Sequence, residues 1–336
     1  MNVVVTGGAG YVGSVVCAHL LIAGHNVVVV DALGSGAESL LGFQSHSRFR
    51  LIAGDVRDAE VARRAVASAE AVVHLAAVVG ESACAVDPYE ARSVNHDGTC
   101  TLLLAAEQAA VSRFVLISTC SNYGVTDSNV LADEDAPLRP LGVYASSKVE
   151  AEQEVLRHAG LASRYVLRLG TVCGVSPKMR FDLLVNDMAR AAALGESIRV
   201  FAPDAWRPFL HIRDAARAVE WALGSQAVGA SVFNVVGENY QKKGLVDLVR
   251  RHFPHASIEI QHAVPDARDY RVSSARIQQQ GGFAPTHTIE LAFLETAAAV
   301  RAGMFRDPRW SGHAATPVSR VSTREPAGRS SSTRST

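Results

Sequence analysis

The stretch TGGAGYVG, Thr6 to Gly13, decides the fold of this chain. It follows a short apolar run, NVVVT, and opens a stretch of helical character. Gly7 allows a tight turn, Gly10 lets a pyrophosphate approach the backbone, and Gly13 permits close packing of helix on strand. The N–H groups at the start of the helix would then face the phosphates. A strand, a glycine turn and a helix in this order predict a dinucleotide site.

An acidic residue at the end of the second apolar run selects the dinucleotide. The run NVVVVD ends at Asp31, eighteen residues after Gly13. Its carboxylate is placed to accept hydrogen bonds from the adenosine ribose hydroxyls and would repel a 2′-phosphate. No arginine follows directly in DALGSG. The cofactor expected is therefore NAD rather than NADP.

Apolar runs alternate with helical stretches beyond this turn, and continuous apolar runs are typical of parallel strands buried on both faces. The alternation predicts an α/β fold with a Rossmann-type, doubly wound parallel sheet. The expected strands are Asn2–Thr6, Asn26–Asp31, Phe49–Asp55, Ala71–Ala76, Arg113–Ser118, Arg164–Gly170 and Ser231–Val236. The expected helices are Val12–Ala23, Ala59–Ser68, Tyr89–Ala110 and one that begins near Tyr144.

The regular alternation of apolar runs and helical stretches ends after Gly170, and this change indicates a division of the chain. Residues 1–170 are expected to form the NAD-binding domain, with residues 207–236 returning to it. Residues 171–206 and 237–310 are expected to form a smaller, mixed α+β substrate-binding lobe. Residues 311–336 are Ser, Thr, Arg, Ala and Pro with almost no core formers, which predicts a disordered tail.

Composition excludes several other classes of protein. Lys plus Arg and Asp plus Glu are 33 each, so nothing suggests a bulk nucleic-acid binder. Neither a signal sequence nor a membrane span is readable, and a cytoplasmic location without a membrane partner is expected. The cysteines are odd in number and lack a CxxC pair, so neither disulfides nor a metal site is expected. They are Cys17, Cys84, Cys100, Cys120 and Cys173.

The glycine spacing resembles that of the extended short-chain dehydrogenase/reductase family of nucleotide-sugar enzymes, and further motifs agree up to about residue 300. DALGSG and VVGES most resemble its UDP-glucose/galactose 4-epimerase branch. The other matching stretches are GDVRD (Gly54–Asp58), HLAA (His74–Ala77), VNHDGT (Val94–Thr99), YASSK (Tyr144–Lys148) and WRPFLHIRDAARA (Trp206–Ala218). The resemblance implies NAD contacts from Gly7, Gly10, Tyr11, Val12, Gly13, Asp31, Leu33, Gly36, Asp55, Val56, Leu75, Ala76, Ala77, Asn95, Ser118, Tyr144 and Lys148.

Tyr144 and Lys148 lie four residues apart and so share a helix face. A free tyrosine has a pKa near ~10, and the lysine ammonium and the positive nicotinamide ring would lower that pKa. Tyr144 is then expected to take the proton of a sugar hydroxyl as hydride passes to NAD. Thr119 occupies the family's hydroxyl position and would hydrogen-bond the same oxygen. These roles imply epimerisation, foremost at C4, through a transient 4-keto sugar.

Alternatives remain open at this point. A 4,6-dehydratase of the family carries an Asp–Glu pair after this threonine, where the present chain has Cys120 and Ser121, so dehydration is disfavoured. Decarboxylation and 4-ketoreduction are compatible with the same scaffold, and a 3,5-epimerase could use Cys120 with Lys178. A non-catalytic sensor or scaffold that binds a dinucleotide is the alternative from another class, disfavoured by the intact Tyr144–Lys148 pair.

The expected substrate is a nucleoside-diphosphate sugar. Thr171, Cys173 and Ala263 depart from the family pattern on the substrate side, whereas Arg207 and Arg268 offer guanidinium groups suited to a diphosphate. The resemblance also implies a homodimer that uses the helices beginning near Tyr89 and Tyr144. The expected substrate contacts are Val79, Glu81, Ser82, Thr119, Cys120, Ser121, Tyr144, Thr171, Lys178, Arg180, Phe181, Asn186, Arg207 and Arg268.

Overall fold

The computed structural model describes residues 1–127, 130–262 and 268–308. The tail expected at 311–336, and the departure from the family pattern at Ala263, lie outside these ranges. In chain order the strands of the described residues are β1 (Asn2–Thr6), β2 (Asn26–Asp31), β3 (Phe49–Ala53), β4 (Ala71–His74), β5 (Arg113–Thr119), β6 (Leu131–Ala132), β7 (Ser163–Leu169), β8 (Thr171–Cys173), β9 (Ile198–Phe201), β10 (Trp206–His211), β11 (Gly229–Val235), β12 (Glu238–Gln241), β13 (Ile258–Gln261) and β14 (Arg271–Val272). The helices of the same residues are α1 (Tyr11–Ile22), α2 (Ala59–Val66), α3 (Glu81–Val86), α4 (Pro88–Arg92), α5 (Gly98–Gln108), α6 (Val143–Arg157), α7 (Leu184–Leu194), α8 (Ile212–Gly224), α9 (Lys242–His252), α10 (Ala275–Gly281) and α11 (Ile289–Arg301).

Seven parallel strands form the main sheet in the order β11-β7-β5-β4-β1-β2-β3. Val3 and Val5 of β1 pack into one core with α1 and α8, while Val4 packs into a second core with α2, α5 and α6. Each face of the sheet is therefore covered by helices. Burial on both faces explains why the strands read as continuous apolar runs, and the doubly wound α/β fold is confirmed.

A smaller lobe lies beside the main sheet. Strands β8, β10 and β12 form one sheet, and β9 pairs with β13. Helices α7, α9 and α11 share a separate apolar core with these strands. Two short strands, β6 and β14, pair with each other.

Of residues 207–236, which were expected to return to the NAD-binding domain, β11 joins the main sheet, as the apolar run at Ser231–Val236 indicated. Strand β10 pairs with β8 and β12 in the lobe. The chain leaves the main sheet at Gly170, where a Cβ would lie 3.2 Å from the backbone of Pro208 and Phe209. Helix α8 packs against the main sheet, and β11 joins its edge.

The long helix expected over Tyr89–Ala110 is interrupted. It consists of α4, a π-helical turn at Ser93–Asp97, and α5. A π turn inserts an extra residue into a helix and is frequent at functional sites. Here the turn contains Asn95, whose side chain is buried.

No helix among the described residues is long and apolar enough to cross a membrane. All five cysteines lie in the described part of the chain, and each is a free thiol.

Candidate active site

The glycine turn lies at the carboxyl end of β1, where strand order reverses between β1 and β4. In doubly wound sheets ligands bind at this crevice. Gly7 has a φ of 71°, and a Cβ there would lie 2.7 Å from the backbone nitrogen of Ala76. A Cβ at Gly13 would lie 2.1 Å from the Gly7 carbonyl oxygen. Any other residue at either position would separate the turn from the elements that it joins.

The N-terminus of α1 suits an anionic group. Its N-cap is Gly10, and no side chain among the described residues caps it. Tyr11 and Val12 begin the helix, so their N–H groups point out of its positive end. This cradle fits the pyrophosphate of a dinucleotide.

Asp31 closes the far side of the cradle. Its two oxygens accept the N–H groups of Ala9 and Leu33, at 2.9 Å each. Burial raises the pKa of Asp31, and these hydrogen bonds and the charge of Lys178 oppose that shift. Leu33, and Gly36 after it, adopt positive φ as the chain turns away from β2.

Lys178, expected as a substrate contact, reaches the loop after β2. Its Nζ donates to the carbonyl oxygen of Ser35. The segment after β8 is also bonded to the glycine turn, since the Ser176 hydroxyl donates to the carbonyl oxygen of Tyr11.

A buried hydrogen-bond chain joins β1, β4 and α5. The Thr99 hydroxyl donates to the Asn95 carbonyl oxygen at 2.7 Å, so it accepts from His74 Nε2 across 2.9 Å. His74 Nδ1 then accepts the Thr6 hydroxyl proton at 2.7 Å, and Thr6 Oγ1 accepts the N–H of Ala76. Burial, aided by the charge of Lys148, lowers the pKa of His74 to about 3. His74 is therefore a neutral structural group.

Asn95 ties the loop after β4 to the helix that carries Tyr144. Its Oδ1 accepts the N–H of Val78 at 2.7 Å, and its Nδ2 donates to Ser147 Oγ at 3.0 Å. The Ser147 hydroxyl in turn donates to the carbonyl oxygen of Tyr144 at 2.9 Å. The sequence did not single out Ser147, although it lies within YASSK. Leu75, Ala76, Ala77 and Val79 line this loop half-buried, whereas Ser82 beyond it is exposed.

Tyr144 and Thr119 meet at the carboxyl edge of the main sheet. Burial raises the pKa of Tyr144 above its usual range, and the guanidinium of Arg180 and a hydrogen bond with Thr119 oppose that shift. The sequence attributed the opposing charge to Lys148 and the nicotinamide ring; the structure adds Arg180 as a further cation that acts on Tyr144. Burial lowers the pKa of Lys148 to about 8, against the charge of Glu152.

Glu81 has a different role from the expected substrate contact. Its two oxygens accept the backbone N–H groups of Tyr144 and Ala145, at 3.2 Å each. Gly142 makes room for this carboxylate, because a Cβ there would lie 2.0 Å from Glu81 Oε2. A carboxylate is stabilised at a helix N-terminus, so Glu81 caps α6.

Cys120 does not face the site, and its assignment as a catalytic or substrate-binding group is wrong. It is 1% exposed, and its thiol donates to the carbonyl oxygen of Arg168 at 3.2 Å. Burial raises the pKa of the thiol well above its usual range. Thr119 ends β5 and Cys120 begins the 3₁₀ turn that follows it. The Thr119 hydroxyl bonds to Tyr144, whereas the Cys120 thiol points into the core. Ser121 stays at the site, with its Oγ 2.9 Å from Thr119 Oγ1.

A buried ion pair between α6 and β7 lies next to the end of β5. Arg168 Nη2 lies 2.7 Å from Glu152 Oε2, and both side chains are almost fully buried. The Ser118 hydroxyl donates to Glu152 Oε1 at 2.5 Å, and Asn122 Nδ2 donates to the same oxygen at 2.8 Å. Ser118, expected beside the cofactor, thus belongs to this buried group of side chains.

In the lobe, two further expected substrate contacts are structural. Phe181 is 4% exposed and packs edge-to-face on Phe305 at 5.2 Å, as a core side chain does. Asn186 is fully buried, and its amide bonds to the backbone of Gly174 and Arg180.

The expected diphosphate contacts lie at the base of the lobe. Arg207 is 5% exposed and lies over the ring of Tyr270 at 5.6 Å. Its Nη1 donates to the carbonyl oxygens of Trp206 and Arg268. Arg268 itself is exposed, and Thr171 in β8 is half-buried. The structure thus brings Arg207 and Arg268 together.

The expected adenine-binding turn follows β3. The carboxylate of Asp55 lies 2.6 Å from Arg57 Nη2, and Arg57 also pairs with Glu90 at 2.7 Å. Val56 is buried against Gly98. The ion pairs fix the shape of this turn at the outer end of the crevice.

The fold and these groups define a Rossmann-type enzyme of the extended short-chain dehydrogenase/reductase class. The model of the NAD dependent epimerase/dehydratase family matches residues 3–237, and the chain belongs to this family.

Named relatives agree with this assignment. The chain is 32% identical to a UDP-glucose 4-epimerase of Corynebacterium glutamicum, over 88% of this chain and 94% of the relative. It is 33% identical to a dTDP-glucose 4,6-dehydratase of Streptomyces griseus, over 84% and 89%. The crystal structure of a UDP-glucose 4-epimerase from Thermotoga maritima with UDP-glucose superposes with a TM-score of 0.80, at 24% identity, over 91% of this chain and all of that one. The chain is an NAD-dependent nucleotide-sugar enzyme of the epimerase/dehydratase kind, as the resemblance implied.

Proposed function

We propose that this enzyme is an epimerase that inverts C4 of a nucleoside-diphosphate sugar. The observation that carries the proposal is the environment of Thr119. The position where a 4,6-dehydratase keeps its first acid is Cys120, which faces the core. The next position is Ser121, whose hydroxyl bonds to Thr119. Proton transfer at C5 and C6 would have no carboxylate at either position.

Two elements would hold the cofactor. The N-terminus of α1 would bind the pyrophosphate of NAD, and Asp31 would accept from the adenosine ribose. Bound NAD supplies the acceptor, and later the donor, of the hydride at C4.

The chain's own side chains would move the proton. The Tyr144 oxygen takes the proton of the C4 hydroxyl and later returns it, while Thr119 hydrogen-bonds the same oxygen. Lys148 would hold the nicotinamide ribose from the same face of α6. Arg180, which opposes the rise in the pKa of Tyr144, favours the phenolate form that accepts the proton.

Glu81 is a carboxylate whose charge also acts on Tyr144, so it is the group to test as a replacement for the missing acid. Its two oxygens are, however, engaged by the N–H groups that begin α6. Dehydration is therefore disfavoured, although one relative is named as a dehydratase.

The 3,5-epimerase alternative loses its proposed pair. Cys120 is directed into the core, and Lys178 lies over the loop after β2. These contacts give no support for the two groups acting together on one sugar.

Mass spectrometry of the products from UDP-, dTDP-, GDP- and CDP-sugars tests the proposal. Epimerisation leaves the substrate mass unchanged without net use of NAD. A product that has lost water would identify a dehydratase instead, and one that has lost carbon dioxide a decarboxylase. Stoichiometric oxidation of NADH would identify a ketoreductase. The variant Tyr144→Phe should lower turnover by roughly 10²–10⁴-fold while its NAD content stays that of the wild type.

We further infer that the enzyme is a homodimer. Tyr89 on α4 is 89% exposed and Leu104 on α5 is 54% exposed. Helices α4 and α6 are joined at the same surface by Arg92, whose Nε lies 2.9 Å from Glu150 Oε2. Exposed apolar side chains beside paired charges fit a contact between two copies.

A further inference from the structure

The Tyr11 side chain leaves the cofactor turn and enters the lobe. Its ring is 7% exposed. The hydroxyl donates to the carbonyl oxygen of Gly174 at 2.8 Å and accepts from Asn186 Nδ2 at 3.1 Å. A residue at the start of the pyrophosphate-binding helix is thus bonded to the substrate half of the molecule.

Residues 174–186, here called the strap, are tied to the cofactor half at further points. The Ser176 hydroxyl donates to the carbonyl oxygen of Tyr11 at 2.7 Å and lies 3.1 Å from Ser14 Oγ. Lys178 reaches Ser35. These bonds couple the strap to the glycine turn, so a shift of the turn would also shift the strap.

Asn186 connects Tyr11 to the backbone of Arg180. Its Oδ1 accepts the N–H of Gly174 at 3.0 Å, and its Nδ2 donates to the carbonyl oxygen of Arg180 at 3.0 Å. The amide closes the strap into a loop and fixes the backbone from which the guanidinium extends. Asp182 orients that guanidinium through Nε at 3.1 Å and Nη2 at 2.5 Å.

The guanidinium of Arg180 lies at the site that holds Tyr144. A Cβ at Gly80 would lie 3.7 Å from Arg180 Nη2, and Gly80 precedes the residue that caps α6. Charged or titratable groups act on Tyr144 from each neighbouring element: Arg180 of the strap, and Glu81 and Cys84 of α3. Thr119 of β5 hydrogen-bonds it, and Lys148 shares its helix face.

We propose that Tyr11 is a positioning residue, which acts through Asn186 to hold Arg180 beside Tyr144. This inference rests on the epimerase function proposed above. Without the Tyr11 hydroxyl, the Gly174 carbonyl and the Asn186 amide lose a buried hydrogen-bond partner. The strap then relaxes, and the charge that favours the Tyr144 phenolate moves away.

Kinetics of Tyr11→Phe test the inference. We expect kcat/KM for the accepted nucleotide sugar to fall about tenfold, which corresponds to one lost buried hydrogen bond. Because Arg180 lowers the pKa of Tyr144, its displacement should also move the rising limb of the pH profile to higher pH. The NAD content should stay that of the wild type. Tyr165→Phe is the control, since Tyr165 donates to Ser225 Oγ at 2.9 Å, in a bond remote from the strap.

A cycle with Arg180→Lys separates positioning from a general loss of stability. If Tyr11 acts through Arg180, the double variant loses little more activity than Arg180→Lys alone. Additive losses, or an unchanged kcat/KM and pH profile in Tyr11→Phe, would overturn the inference.

Hydrogen–deuterium exchange gives a readout that needs no substrate. Tyr11→Phe should speed exchange in the strap, whereas Tyr165→Phe should not. An unchanged strap would contradict the inference even if the wild-type enzyme turned over no nucleotide sugar. Failure of the proposed function alone would leave the exchange difference in place.

Discussion

The carboxylate of Glu81 caps the helix that begins beside Tyr144, accepting the tyrosine's backbone N–H at 3.2 Å. The first residue of α3 thus sets where the proposed acid/base stands. The cap joins two elements that are distant in sequence, so its loss would disturb the site as well as the helix.

Glu81→Ala should therefore cost both stability and activity. Loss of a helix cap costs ~1 kcal/mol, and the displaced α6 should lower kcat by about tenfold. Asp58→Ala is the matched control, because Asp58 caps α2 by accepting from the N–H groups of Glu60 and Val61. Thermal unfolding should show similar losses for both variants, and only Glu81→Ala should lower kcat. Equal effects on kcat would mean that the cap does not position Tyr144.

Lys148 makes stability depend on pH. Burial lowers its pKa to about 8, below the ~10.4 of an unfolded chain. Between these values the unfolded state binds more protons, so the contribution of Lys148 to stability rises with pH. The free energy of unfolding of the wild type, relative to Lys148→Met, should increase from pH 8 to pH 10. Lys243→Met, at an exposed lysine, is the control for the loss of any lysine. If the difference in unfolding free energy between the wild type and Lys148→Met did not change with pH, the lowered pKa of Lys148 would be refuted.

Cys120 and Thr119 should respond oppositely to substitution. Cys120→Ala should keep full turnover and lose about 1 kcal/mol of stability, since it removes a buried side chain. Thr119→Val, which keeps the shape but removes the hydroxyl, should lower kcat by ~10²-fold. Steady-state rates of the two variants test this prediction. An inactive Cys120→Ala with a normal melting temperature would show that the thiol takes part in the reaction.

The proposed dimer contact is tested by placing charge on it. Tyr89→Glu combined with Leu104→Glu should yield a monomer in sedimentation velocity. Ile22→Glu serves as the control, because Ile22 is 86% exposed on α1, away from this surface. A wild-type chain that sediments as a monomer at micromolar concentration would exclude the dimer.

The sequence predicted the main sheet well because its signals are local. Apolar runs mark strands buried on both faces, and the glycine turn places the cofactor crevice. The lobe carries weaker signals, and the π turn at Ser93–Asp97 has no compositional mark of its own. Strand β10 is therefore absent from the strands that the sequence predicts, and the helix around Asn95 is predicted as continuous.

Contacts within the site were harder to predict when they join distant segments. Asn186 bonds to Tyr11 across 175 residues of sequence, and the Glu152–Arg168 pair joins a helix to a strand. Cys120 was misjudged because motif spacing gives a residue's position but not the side of the chain on which it lies. The 3₁₀ turn that begins at Cys120, directly after β5, decides that side.

The chain of hydrogen bonds through His74 constrains how this enzyme can evolve. In this chain, the side chains of Thr6, His74 and Thr99 each donate to one neighbour and accept from another. No further group within the chain can take the place of a lost partner. A change at any one of them leaves a neighbour with a buried polar atom to satisfy. Substitutions here should therefore be inherited as sets, and the three positions should record shared ancestry more faithfully than the surface of the lobe.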